Sequence, residues 1–125
     1  MRHAAVLLTL LATAVLLVIG CDTVPIGERY GQLLSPKDVK DCPKGCTPYV
    51  TAPGDRLYVL ADRAYGEGYK MYRIANLKEN QDTLKAITKA DGTLDKGKII
   101  FLPPDERGDR VTPENRWHFG GTSKR

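Results

Sequence analysis

Three cysteines, two histidines and a scatter of carboxylates are the groups of this 125-residue chain best able to do covalent, metal or proton-transfer chemistry. The hydroxyl nucleophiles Ser35 and Ser123 and the imidazole of His118 lie outside the best-patterned central segment. A nucleophile, a base and an orienting group therefore cannot be assembled from one folded unit. Glu67 and Asp95 stand in turn contexts, whereas a carboxylate pair acts on a glycosidic bond only where a cleft holds both groups at a fixed separation. The inventory argues against an enzyme and implies no cofactor. Cys42 and Cys46 frame Pro43-Lys44-Gly45, a loop of the size a turn closes. In an exported protein a disulfide is the expected state. Its stabilisation would be below the roughly 3 kcal/mol of a 15-residue loop, because so short a loop removes little unfolded-state entropy. Two free thiols and a metal site are the alternatives, although two thiolates alone do not complete a tetrahedral shell.

The elements that must position any site are written between Tyr49 and Pro103. Leu57, Leu60, Ala61, Ala64 and Tyr65 recur at i, i+3, i+4, i+7 and i+8, which lays one apolar stripe along a helix. Asp55 precedes this run, where a carboxylate is expected to cap the orphan N–H groups of the first turn. Gly66 and Gly68 supply the positive φ at which a helix stops. Met71, Ile74, Ala75 and Leu77 define a second, shorter buried face, and Asp82 to Ala90 reads as a further short helix stopped by Asp91-Gly92. Lys98 to Leu102, bounded by Gly97 and Pro103, has the β-branched and aromatic character of a strand. Paired with Tyr49 to Thr51 it would form a two-stranded antiparallel sheet, which must pack on the helices to be stable in water. The expected class is α+β.

The order of these marks resembles a LysM domain. The resemblance covers about 55 residues: Tyr49-Val50-Thr51, Gly54-Asp55-x-Leu57-x-x-Leu60-Ala61, Tyr65-Gly66-Glu67-Gly68, Met71-x-x-Ile74-Ala75 and Leu94-x-Lys96-Gly97-x-x-Ile100-x-Leu102-Pro103. It implies a βααβ module over residues 48–104 that binds glycans containing N-acetylglucosamine, usually peptidoglycan in bacteria. By position, Gly54, Asp55, Arg56 and Leu57 would form one wall of the groove, and Leu94, Asp95, Lys96 and Gly97 the other. Asn80 would partly substitute for the asparagine that usually ends the second helix, since Leu77-Lys78 stands at that place. Arg56 replaces a small hydroxyl residue and Met71 a common tryptophan, which implies an altered specificity.

Around this module the chain reads as exported. Residues 1–20 have the form of a secretory leader: Arg2, then an apolar run from Ala4 to Ile19, shorter than the roughly 20 residues of a spanning helix. Gly20-Cys21 resembles a bacterial lipobox, which implies lipidation of Cys21 and cleavage before it. Two or three acyl chains hold a protein on a bilayer where one does not. The expected location is a cell membrane, by lipid anchor, on its periplasmic or extracytoplasmic face.

Residues 21–47, turn-rich and weakly patterned, read as a tether, and residues 105–125 as a disordered tail in which Trp117 could equally fold back or dock a partner. Without Arg2 the chain carries 18 basic against 15 acidic residues. That balance is too mild and dispersed to argue for nucleic acid. Peptidoglycan strands and the membrane are the expected partners. The alternative is an accessory subunit of an envelope complex that uses the module for protein contact.

Overall fold

The computed structural model describes residues 29–114 and residue 117. The leader, Cys21 and most of the tail after Glu114 lie outside the described residues. Within them the protein is α+β, with a three-stranded antiparallel sheet in the order β1 (Gln32–Leu33), β2 (Thr47–Val50), β3 (Ile99–Leu102). Helices α1 (Leu57–Tyr65), α2 (Met71–Ala75) and α3 (Lys78–Ile87) fill the connection between β2 and β3. Among the described residues no helix is long and apolar enough to cross a membrane.

Strand β2 is central, so every one of its residues is buried, and it pairs with β3 through Thr47↔Leu102, Pro48↔Phe101, Tyr49↔Ile100 and Val50↔Ile99. The alternation along β3 sends Ile100 and Leu102 into the core. Helix α1 forms from the apolar stripe, burying Leu60, Ala61, Ala64 and Tyr65. Gly66 ends it at φ 84°, a left-handed conformation in which its N–H donates to the Asp62 carbonyl.

The second helix differs from the expectation: Met71 is exposed, and Ile74 alone of α2 reaches the core. The further helix, α3, starts four residues earlier than the expected Asp82 and ends at Ile87. Its buried face is Asn80, Leu84 and Ile87, at i, i+4 and i+7. A polar residue occupies the first apolar position, so apolar periodicity alone starts the helix too late.

The expected tether is part of the fold from Arg29 onward. Gln32 and Leu33 pair with Val50 and Tyr49, Leu34 is buried, and the sheet has three strands rather than two. The added strand covers the edge of β2 that would otherwise present unpaired backbone groups. Cys42 and Cys46 are free thiols, which corrects the expected disulfide. The Cys42 Sγ turns onto the carbonyl oxygens of Pro43 and Cys46, at 3.6 Å each, while Cys46 is buried. The loop is closed instead by the Cys46 N–H on the Pro43 carbonyl at 3.1 Å, with Gly45 at φ 82°. Burial, reinforced by Cys42 and Glu79, pushes the Cys46 thiol up to about 11.

The disorder expected after Pro104 also gives way, in the described part, to an ordered strap. The Asp105 carboxylate accepts the N–H groups of Arg107 and Asp109 at 2.9 Å each, and the Thr47 hydroxyl donates to the Val111 carbonyl at 2.7 Å. Val111 is fully buried. Trp117 packs against Tyr49 with ring centroids 5.2 Å apart, under the guanidinium of Arg63. The strap thus completes the core that β2, α1 and β3 begin.

Candidate functional site

One wall of the site is a tight turn over Ala52-Pro53-Gly54-Asp55, closed by the Asp55 N–H on the Ala52 carbonyl at 3.2 Å. Proline at its second position and Gly54 at φ 82° in the third are the residues that a type II turn demands. The Asp55 carboxylate does not cap α1, whose N-cap is Arg56 without a side-chain bond. It is buried and turned back into the turn, where it accepts the Ala52 N–H at 2.7 Å and the phenol hydrogen of Tyr49. Burial first, and the Asp55 contact second, push the Tyr49 phenol far above its ordinary range, so it stays a donor.

The other wall is the segment from Asp91 to Lys98. Its Leu94 N–H donates to the Asp55 carbonyl at 2.8 Å, and Arg56 forms an isolated β-bridge with Thr93. These contacts bring the two walls side by side. Arg56 does not reach into the opening: its Nη1 donates to the Asp91 carbonyl at 2.6 Å and secures the turn at Gly92. The Thr93 hydroxyl and N–H hold the Asp91 carboxyl below its usual range.

Thr51, expected only as the last residue of the first strand, is the pin between the walls. Its hydroxyl donates to the Asp95 carbonyl at 2.6 Å and accepts the Lys98 N–H at 2.9 Å. Its backbone carbonyl accepts the Gly97 N–H at 2.8 Å, and its N–H donates to the Lys98 carbonyl at 2.9 Å. Four bonds at one residue fix the turn before β3 against the end of β2. The signal in the sequence was a β-branched hydroxyl residue directly ahead of a turn.

Between the walls lies an open cavity of about 430 Å³ lined by Pro53, Gly54, Lys89, Leu94, Asp95, Lys96 and Lys98. Gly54, Leu94, Asp95 and Lys96, from the two expected walls, thus line one cavity. Asp55 and Gly97 act from behind as backbone anchors, and Leu57 is a half-buried neighbour of the core. Lys89 and Lys98 enter from outside the expected set, Lys89 from the end of α3.

Asn80 does not belong to this site. It is fully buried, its amide donates to the carbonyls of Ile74 at 2.9 Å and Phe101 at 2.7 Å, and its oxygen accepts the Phe101 N–H at 2.8 Å. Every polar atom of that amide is taken by backbone, so it ties α2 and α3 to β3 and offers a ligand nothing.

The cavity holds one carboxylate, Asp95, and no grouping of three or more metal-ligating His, Cys, Asp or Glu side chains occurs among the described residues. Its polar inventory is ammonium groups, one carboxylate and turn backbone, whose chemistry suits polar, hydroxylated or anionic groups rather than apolar ones. Comparison with known protein families, with characterised proteins and with solved structures finds no match to this chain.

Proposed function

We propose that this protein is a non-catalytic, lipid-anchored envelope protein that binds peptidoglycan, or another glycan containing N-acetylglucosamine, in the groove between the Ala52–Arg56 turn and the Asp91–Lys98 segment. In this reading β2, α1, α2 and β3 are the βααβ unit of a LysM-like domain, and α3 is an insert ahead of the closing strand. The observation that carries it is the joining of the two walls by the Asp55 carbonyl and the Leu94 N–H, at 2.8 Å. That bond sets two turns around a cavity whose rim is unburied backbone. The N–H groups of Gly54 and Lys96 donate to no described residue, which leaves them for the acetamido and hydroxyl oxygens of a sugar chain.

One shallow site of this kind gives affinities of about 1 mM to 1 μM. Attachment through Cys21 would compensate, since confinement near a dense polymer raises the effective concentration. Sedimentation with purified sacculi, using the full chain in a mild detergent, tests the reading. The protein is expected in the pellet, released by soluble glycan fragments. Failure to pellet beside a glycan-binding control overturns it.

The exposed Tyr58, Tyr69, Met71 and Tyr72 favour a second reading, an accessory subunit of an envelope complex. Exposed aromatic and methionine side chains are enriched at protein interfaces. Crosslinking in intact membranes that captures one stoichiometric partner after the glycan has been digested would select it.

A further inference from the structure

The groove has a charge pattern that a neutral sugar chain does not need. Three lysines line it, and each comes from a different place: Lys89 follows α3, Lys96 stands in the turn before β3, and Lys98 immediately precedes that strand. The single acidic side chain in the lining, Asp95, pairs with Lys89 at 3.7 Å. Lys96 and Lys98 are exposed and form no ion pair among the described residues. The Lys96 ammonium lies 5.7 Å from the centre of the Tyr30 ring, which steadies it at the rim without neutralising it. The cavity therefore presents two unneutralised positive charges at its opening, beside the unengaged backbone N–H groups of Gly54 and Lys96.

Resting on the glycan reading above, we infer that the preferred ligand is an acidic glycan, one whose sugars carry carboxylate groups at intervals along the strand. The N–H groups meet the oxygens common to all N-acetylated sugars, and the ammonium groups of Lys96 and Lys98 meet the carboxylates that distinguish an acidic strand from a neutral one. Lysine suits this role because it is a mobile point charge on a flexible stem and imposes no bidentate geometry on irregularly presented carboxylates. A flat anionic lipid surface fits less well. The lysines line a concavity of about 430 Å³, within the roughly 300–1,000 Å³ of clefts that enclose small ligands.

The experiment is a titration of the full chain in neutral detergent with three probes of equal length. One is a neutral N-acetylglucosamine oligomer. The second alternates that sugar with its lactyl ether, which bears a free carboxylate. The third is the second probe with its carboxylates amidated. The acidic probe is expected to bind about tenfold more tightly than the other two at low salt, given the contribution of two exposed ion pairs. The preference should vanish near 1 M salt, where the screening length falls to about 3 Å.

Replacing both Lys96 and Lys98 by Gln should bring the affinity for the acidic probe down to that of its amidated counterpart and leave the unfolding midpoint unmoved. Charge selectivity would then be separated from folding. Equal affinity for all three probes, or a preference that persists after amidation or in the double variant, overturns the acidic-glycan inference while the glycan reading stands. No binding of any probe overturns the glycan reading, and this inference falls with it.

Discussion

The two ends of the β2–β3 pair are built from the same backbone and finished in opposite ways. At the end marked by Thr47 and Leu102, side chains close on the backbone. Tyr65 donates to the Pro103 carbonyl and Arg73 Nη2 to the Pro104 carbonyl, both at 2.6 Å, while Asn80 brackets Phe101 from both sides. At the end marked by Val50 and Ile99, Thr51 and Asp55 hold the turns from beneath, but their upper rim is left to solvent and to three lysines. Buried polar groups must be partnered, so the closed end spends its side chains on its own backbone. The open end keeps backbone groups free because turns at the surface can do so without burial. There the backbone N–H groups of Gly54 and Lys96 have no acceptor among the described residues and stand open to a ligand.

Trp117 is the test of whether the two ends are one structure. It packs on Tyr49, whose hydroxyl reaches the Asp55 carboxylate, so the strap from the closed end supports the turn at the open one. Trp117→Ala is expected to destabilise the full chain by about 3–5 kcal/mol, the cost of emptying a large buried aromatic site. Denaturant unfolding followed by circular dichroism measures it. A loss under about 1 kcal/mol would mean that the strap only covers a surface.

Asn80→Ala addresses the closed end alone. It leaves the Phe101 N–H and the carbonyls of Ile74 and Phe101 without their side-chain partners in a buried place, which costs about 2–3 kcal/mol. Sacculus binding per folded molecule should not change. A variant of near-wild-type stability that no longer binds would put Asn80 back in the groove and break the distinction between the ends.

The open end was the more legible of the two in the sequence, because turns announce themselves locally. Pro53-Gly54-Asp55 and Lys96-Gly97 carry their conformation in their own residue types, and the α1 stripe repeats often enough to be read. Both ends are pinned by contacts far apart in sequence, 44 residues for Thr51 and Asp95 and 38 for Tyr65 and Pro103, but the side chains that pin the closed end have no turn residues beside them to mark their role. Asn80 sits where a periodic reading wants an apolar residue, and its partner Phe101 is 21 residues away. Strand β1 has two residues, too few to show a period of two, and is strand only because β2 has an edge to fill. Trp117 stands among charged neighbours whose composition masks a single buried ring. Asp55 is intermediate: its turn was visible, but the direction of its carboxylate depended on Tyr49 being folded above it.

Tyr65→Phe removes one buried hydroxyl from the closed end and leaves the Pro103 carbonyl without that donor. The expected cost is about 1 kcal/mol. Burial keeps the phenol protonated well above its ordinary range, so the wild-type hydroxyl still donates at alkaline pH. The measured difference should therefore be constant from neutral pH to the lower alkaline range. A difference that shrinks as pH approaches 9 would show that the hydroxyl is not sealed.

Asp95→Asn should have the smallest effect on stability and the most to say about the open end. The Lys89–Asp95 pair is exposed on both sides, at 59% and 46%, so its loss changes stability by no more than about 0.5 kcal/mol. The bonds that hold the loop are backbone ones, since the Asp95 N–H donates to the Ile87 carbonyl and its carbonyl accepts the Thr51 hydroxyl. Both survive the substitution. What changes is the charge of the lining, which loses its one carboxylate and releases the Lys89 ammonium. Affinity for a carboxylate-bearing glycan should rise about two- to fivefold at low salt, with no gain for a neutral one. If stability instead fell by more than about 1 kcal/mol with no gain in binding, the side-chain pair would be holding the loop shut, and the two ends of the sheet would be clamped alike.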